Sequence, residues 1–163
     1  MTHEFEYERT VEFAETDMSG IVHFSNYFRY MEEAEHTFFR SLGLSAHSES
    51  DGVMLGWVRV DAECVYRRPL RYPDRIKVRL LVSDRTASSL AFEFGFFAAD
   101  GAAEPMAGGR MRTVCVVRDP AGDGVHATDM PAEVAKRVSV APREKIDAAR
   151  AALERKPRAT EGD

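Results

Sequence analysis

Residues Glu15–Leu44, ETDMSGIVHFSNYFRYMEEAEHTFFRSLGL, decide how this chain reads. From Tyr27 onward apolar side chains recur at Tyr27, Phe28, Met31, Ala34, Phe38, Phe39 and Leu42, the three-and-four spacing of an α-helix with one buried stripe. Arg29, Glu32, Glu33, His36 and Arg40 take the wet side, and Glu35 is placed among the solvated positions with them. Gly43 tolerates the left-handed conformation that closes a helix, and Ser25 or Asn26 can cap its start. The amides of the first turn have no carbonyl partner within the helix. With the aligned peptide dipoles they form a partly positive site that would hold an oxygen gaining negative charge. Asp17 lies just upstream, in a loop loosened by Ser19 and Gly20, so its carboxylate can be aimed at the same spot. One short stretch thus offers both a base or nucleophile and an oxyanion site. The plainer alternative is an Asp that only forms a turn or caps the helix. Glu15, two residues before Asp17, is expected to point outward.

Outward from this stretch the pattern changes from helix to strand. Residues 5–13 alternate, with Phe5, Tyr7, Val11 and Phe13 opposite Glu6, Glu8, Thr10 and Glu12, which predicts a half-buried strand. Residues 45–55 are polar and suit a loop at a pocket mouth. Four further strands are predicted at 56–67, 75–84, 88–99 and 106–118. Their inward stripes are Val58, Val60, Ala62, Cys64 and Tyr66, then Ile76 to Val82, Leu90 to Phe96 and Met111 to Val117. Gly108-Gly109 marks either a bulge or a close approach of a ligand to the backbone. Short connections carrying Pro69, Pro73, Asp84 or Asp100-Gly101 suit antiparallel neighbours. One strand, one long helix and four strands is an α+β order, with the helix lying across a curved antiparallel sheet. Helices are predicted at 131–138, opened by Pro131, and at 142–155, where Ile146, Ala149 and Leu153 form a thin stripe. The expected division is a domain over 1–130, a C-terminal helical extension packed on it over 131–155, and a disordered tail over 156–163.

Composition narrows the function classes. A chain of 163 residues with 44% hydrophobic content can bury one core. A net charge of −5 argues against a nucleic-acid partner, and no apolar run is long enough to span a bilayer. The acidic, strand-like start lacks the layout of a secretory signal, so a cytoplasmic protein is expected. Cys64 and Cys115 stand apart in strand patterns and read as reduced thiols. The five histidines show no metal-ligand spacing, and no glycine-rich nucleotide loop is present, so neither a metal nor a cofactor is expected.

The run Asp17-Met18-Ser19-Gly20-Ile21-Val22-His23-Phe24-Ser25-Asn26-Tyr27 resembles the signature of the 4-hydroxybenzoyl-CoA thioesterase family of hotdog-fold acyl-CoA thioesterases. The match holds at Asp17, Gly20, Ile21, Val22 and Tyr27. Tyr66-Arg67-Arg68-Pro69-Leu70 with Tyr72-Pro73-Asp74 resembles a second segment of that family. The similarity covers about residues 5–120 and leaves the C-terminal part unmatched. It implies the hotdog fold, a long central helix wrapped by a curved five-stranded antiparallel sheet, here with extra C-terminal helices. It also implies protomers that pair to extend the sheet, with active sites at their boundary, in a homodimer or a dimer-of-dimers tetramer. Asp17 would be the catalytic carboxylate, attacking the carbonyl or deprotonating a water, and the Phe24 backbone N–H would polarise the thioester carbonyl. Gly20, Ile21, Val22 and Tyr27 would meet the substrate. His23 would line the acyl pocket or assist water, or simply pack.

Coenzyme A carries phosphates, and Arg67, Arg68, Arg85, Arg110 and Arg112 are the candidates to hold them. Glu32, Glu33 and Glu35 enter because another hotdog branch uses a helical glutamate, but their solvated setting weighs against that route. The expected activity is hydrolysis of an acyl-CoA thioester to a free acid and coenzyme A. An acyl carrier protein thioesterase and a non-catalytic acyl-CoA binding or regulatory module are the alternatives. A hotdog hydratase would need a His and Asp paired after a strand, and none stands out.

Overall fold

In the computed structural model, which describes residues 1–50, 53–118 and 124–154, one long helix lies across the inner face of a curled antiparallel sheet. In chain order the elements are β1 (Glu4–Thr10), a 3-10 turn (Phe13–Glu15), α1 (Asn26–Ser41), β2 (Ser48–Ser50), β3 (Val53–Tyr66), β4 (Arg75–Arg85) and β5 (Ser89–Ala98). Then follow β6 (Ala107–Arg118), β7 (Val125–Ala127), α2 (Ala132–Arg137) and α3 (Arg143–Glu154). The strands are ordered β1-β4-β5-β6-β3-β2, with β7 paired to β6, and every pairing is antiparallel. This is the hotdog arrangement. The sheet has seven strands rather than five because a short hairpin partner, β2, forms within the expected 45–55 loop and β7 adds three residues to the end of β6.

The core follows the two periodicities. Tyr27, Tyr30, Met31, Ala34, Phe38 and Phe39 of α1 are buried against Ile76, Val78, Leu80 and Val82 of β4 and Leu90, Phe92, Phe94 and Phe96 of β5. Gly43 closes α1 at φ +68°, with Gly43 N–H donating to Arg40 O (2.9 Å) and Leu44 N–H to Phe39 O (2.9 Å), so the last carbonyls are satisfied. The paired glycines of β6 seat two helices. Consecutive strand residues face opposite sides, and a Cβ at Gly109 would meet Met31 Sδ of α1 at 2.6 Å, while one at Gly108 would meet Leu153 of α3 at 2.3 Å. Neither is a bulge, since both hold regular partners on β3 and β5.

Two strand expectations are corrected. β1 ends at Thr10, because Val11 N–H turns away to Asp74 O (2.9 Å) and Glu12 N–H binds Glu15 Oε2 (2.8 Å), starting the 3-10 turn. Phe13 is left 74% exposed instead of facing the core. In β3 a register shift between Arg59 and Asp61 reverses the inward face. Trp57 and Arg59 point inward ahead of it while Val58 and Val60 are exposed; beyond it Cys64 packs against the core and Tyr66, though exposed, sets its ring against Tyr27, while Ala62 of the expected stripe stays exposed.

The predicted C-terminal helices form. Arg85 donates to the α2 carbonyl of Ala135 (2.7 Å) and to that of Val138 (2.6 Å). Arg137 of α2 binds Leu42 O (2.5 Å) at the end of α1. On the outer side of the sheet, α3 is held by Arg150 to Glu93 (2.6 Å) and Lys145 to Glu4 (2.7 Å), with Ile146 packed on Leu81 and Ala141. The expected tail over 156–163 lies outside the described residues.

Candidate active site

The Asp17 loop is a small hairpin. Thr16 and Val22 form an antiparallel bridge, Asp17 N–H donates to Ile21 O (2.8 Å), and Gly20, at φ +70°, donates to Asp17 O (3.0 Å). Gly20 takes the positive φ that the tight reversal needs. The Asp17 carboxylate is exposed at the tip, where its Oδ1 accepts the Ser19 N–H (2.7 Å). That is the local turn bond short acidic side chains make readily, and it leaves Oδ2 without a hydrogen-bond partner among the described residues. Turn formation and availability for chemistry therefore coexist at one side chain.

The hairpin feeds directly into α1. Val22 N–H binds Leu70 O (2.8 Å), His23 N–H binds Glu15 O (2.9 Å), and Asn26 N–H binds His23 O (2.9 Å). The Phe24 N–H, by contrast, donates to no acceptor among the described residues, while its carbonyl takes the Tyr66 hydroxyl (3.1 Å). A free amide at the start of a helix, a few residues from an exposed carboxylate, is the juxtaposition needed to polarise a carbonyl beside an acid. Ser25 holds the cap position without a side-chain bond to the helix, and its hydroxyl pairs with His23 Nδ1 (2.8 Å) instead. Exposed apolar side chains ring the loop: Met18, Phe24, Phe13 and Tyr72, the last two stacked edge-on at 5.9 Å.

A profile of the thioesterase-like superfamily matches residues 11–138. The chain belongs to this superfamily. Among similar proteins, one of Aquifex aeolicus (strain VF5), which carries the provisional name of an esterase, is 42% identical over 96 residues, 59% of this chain and 74% of that one. The 1,4-dihydroxy-2-naphthoyl-CoA hydrolase of Thermosynechococcus vestitus is 32% identical over 75 residues, 46% of this chain and 51% of its own length. In fold, a crystal structure of a 4-hydroxybenzoyl-CoA thioesterase variant complexed with 4-hydroxybenzoyl-CoA superposes with a TM-score of 0.73 at 18% identity, covering 85% of this chain and all of that one. As a member of the thioesterase-like superfamily the chain is a thioester hydrolase of hotdog fold.

The remaining expected site residues are scattered. Ile21 is half-buried and Val22 buried beneath the hairpin. Tyr27 packs in the core against Tyr66 (5.0 Å) and Phe96 (5.3 Å), where burial pushes its phenol up to about 12. Arg68 lies in the 67–74 loop that Val22 pairs with, and donates to Glu104 O (3.1 Å). Arg67 is turned to Leu153 O at the end of α3. Arg85 caps α2, Arg110 pairs with Glu63 (2.6 Å), and Arg112 pairs with Asp84 (2.9 Å), so these three are not gathered around Asp17. A cavity of about 770 Å³ between α3 and the outer face of the sheet, lined by Arg79, Leu81, Phe97, Lys145 and Leu153 among others, takes no residue from the Asp17 loop.

Sequence reasoning placed two glutamates wrongly. Glu15 is not outward: its carboxylate is bound by Arg9 and Tyr30. Glu35 is not solvated: it is 0% exposed, paired with Arg59, and burial pushes its carboxyl up to about 7. Its spacing held the signal, since Glu35 follows Met31 by four and precedes Phe38 by three, squarely on the buried stripe. Arg71, also missed, reaches Gly20 O (3.3 Å) and brings a cation to the hairpin.

Proposed function

We propose that this superfamily member is an acyl-CoA thioesterase that releases a free acid and coenzyme A. The observation that carries the reading is the exposed Asp17 carboxylate on a hairpin that runs straight into the unpaired Phe24 amide at the start of α1. The thioester carbonyl is held by that amide, and Asp17 either attacks the carbonyl or deprotonates a water beside it. His23, hydrogen-bonded to Ser25, borders the same amide and assists or lines the acyl end. The 32% identical relative named for an aryl-CoA thioester supports coenzyme A as the carrier over an acyl carrier protein. Arg68 and Arg71, on the loop joined to the hairpin, are best placed for the phosphates, while Arg85, Arg110 and Arg112 are already engaged.

The working unit is a homodimer, alone or doubled into a tetramer. Two observations support it: among the described residues Gly56–Tyr66 of β3 has no strand partner on its outer edge, and the Asp17 loop is surrounded by exposed apolar side chains. Both described cysteines are unpaired, in keeping with a cytoplasmic setting. The test is release of free thiol from short, long and aromatic acyl-CoA esters. Asp17→Asn is expected to lower turnover by about 100-fold or more with the circular dichroism spectrum unchanged. Hydrolysis at the original rate overturns the assignment, and tight acyl-CoA binding without thiol release favours a binding module instead.

A further inference from the structure

The carboxylate of Glu15 has every oxygen occupied by groups from different parts of the fold. Oε1 accepts Arg9 Nη2 of β1 (2.5 Å), and Oε2 accepts the Tyr30 hydroxyl of α1 (2.7 Å) and the Glu12 N–H (2.8 Å). The Glu15 carbonyl accepts His23 N–H (2.9 Å) from the far arm of the hairpin and Asn26 Nδ2 (2.7 Å) from the first turn of α1. One residue therefore ties the near arm of the Asp17 hairpin to β1, to the far arm and to the helix. The partners are themselves fixed. Arg9 lies over the Tyr30 ring at 4.0 Å and also pairs with Glu33, and Tyr7 donates to the Tyr30 carbonyl (3.3 Å). Arg9 and Glu15 are mostly shielded, with side-chain exposures of 16% and 19%, so water screens this pair less than a surface one.

We infer that Glu15 is a positioning residue, whose contacts to Arg9, Tyr30, His23 and Asn26 hold the Asp17 carboxylate at a fixed distance from the Phe24 amide. This rests on the proposed role of Asp17. The turn bond to Ser19 orients the carboxylate within the hairpin but does nothing to fix the hairpin against α1. Truncating the Glu15 side chain leaves the carbonyl's bonds to His23 and Asn26 but removes the ties to Arg9, Tyr30 and the Glu12 N–H, so the near arm of the hairpin loses its anchor to β1 and to the second turn of α1 and can tilt. A misplacement of about 1 Å at a reacting group can cost on the order of 100-fold in rate.

The experiment is a double-mutant cycle on thiol release, with Glu15→Ala, Glu15→Gln, Asp17→Asn and the combination Glu15→Ala with Asp17→Asn. Glu15→Ala is expected to lower kcat by roughly 10- to 100-fold with KM changed less than about 3-fold. Glu15→Gln, which keeps an acceptor for Tyr30, should restore part of the loss. In the Asp17→Asn background Glu15→Ala should cost almost nothing more, since there is no carboxylate left to position. An additive effect, an unchanged kcat or a loss that appears only in KM overturns the inference, and melting curves identify a variant that has lost its fold. The Tyr30→Phe variant, which removes the tie from α1 to Glu15 Oε2 and leaves the Glu12 N–H bond in place, then stands in and should lower kcat in the same direction. If Asp17→Asn itself leaves the rate unchanged, it is the proposed function that fails.

Discussion

Two Glu–Arg pairs flank α1, and they are built on opposite terms. At the start of the helix, Glu15 and Arg9 sit at the rim, and both Glu15 oxygens are satisfied. Farther along the helix, Glu35 is fully buried beside Arg59, which also reaches Glu32 and His36. There Glu35 Oε1 and the neighbouring Thr113 Oγ1 are buried close together, and among the described residues neither has a partner of good hydrogen-bond geometry. Desolvation dominates at the second pair and raises Glu35 to about 7 in spite of Arg59. A carboxylate supplied with donors on both oxygens holds geometry, whereas one buried beside a single cation in a dry seam is pushed toward its neutral form.

The most damaging test removes the seat between the two pairs. In Gly109→Ala the new methyl meets Met31 Sδ at 2.6 Å and the Glu63 backbone carbonyl at 2.8 Å. The thioether can move, but the strand carbonyl cannot, so α1 lifts from β6 and stability should fall by about 3 kcal/mol, read by urea unfolding. Loss of stability with no loss of kcat would show that the Glu15 contacts hold the hairpin without the helix seat. Arg59→Ala comes next, at about 2 kcal/mol. It leaves Glu35 buried without its cation, so the cost should be larger at pH 8 than at pH 5, where Glu35 is already protonated; an equal cost at both would remove the electrostatic distinction between the pairs.

The smallest effect belongs to Glu35→Gln. The folded-state value of Glu35 lies above its ordinary 4.5, so the group favours the folded chain below pH 4.5 and that contribution is lost as pH rises through about 7. The glutamine variant should match the parent near pH 5 and flatten the decline toward pH 8 by about 1–2 kcal/mol. Parallel curves for parent and variant across this window would mean that Glu35 stays ionised.

The fold was legible where periodicity is long and unbroken. α1, β4, β5 and β6 lie within a residue or two of their predicted bounds, because apolar stripes of that length leave no competing arrangement. β3 was legible only in part: nothing in its residues marks the shift between Arg59 and Asp61 that sends Val58 and Val60 outward. For the site, the signature led to Asp17 and to a helix start whose Phe24 amide is free. Side-chain charge misled in the same direction twice, since Glu15 and Glu35 were both read as wet on residue type alone. Their inward placement depends on Arg9, Tyr30 and Arg59, partners distant in the chain that no local pattern names.

The tip of the Asp17 hairpin carries almost none of the load. Met18 is fully exposed, and Ser19 contributes a backbone amide that any residue except proline could supply, while the frame rests on Glu15, Thr16 and Val22. Positions 18 and 19 are thus open to sequence drift and suit randomised libraries, in which the edge of the site could be retuned while its frame stays intact.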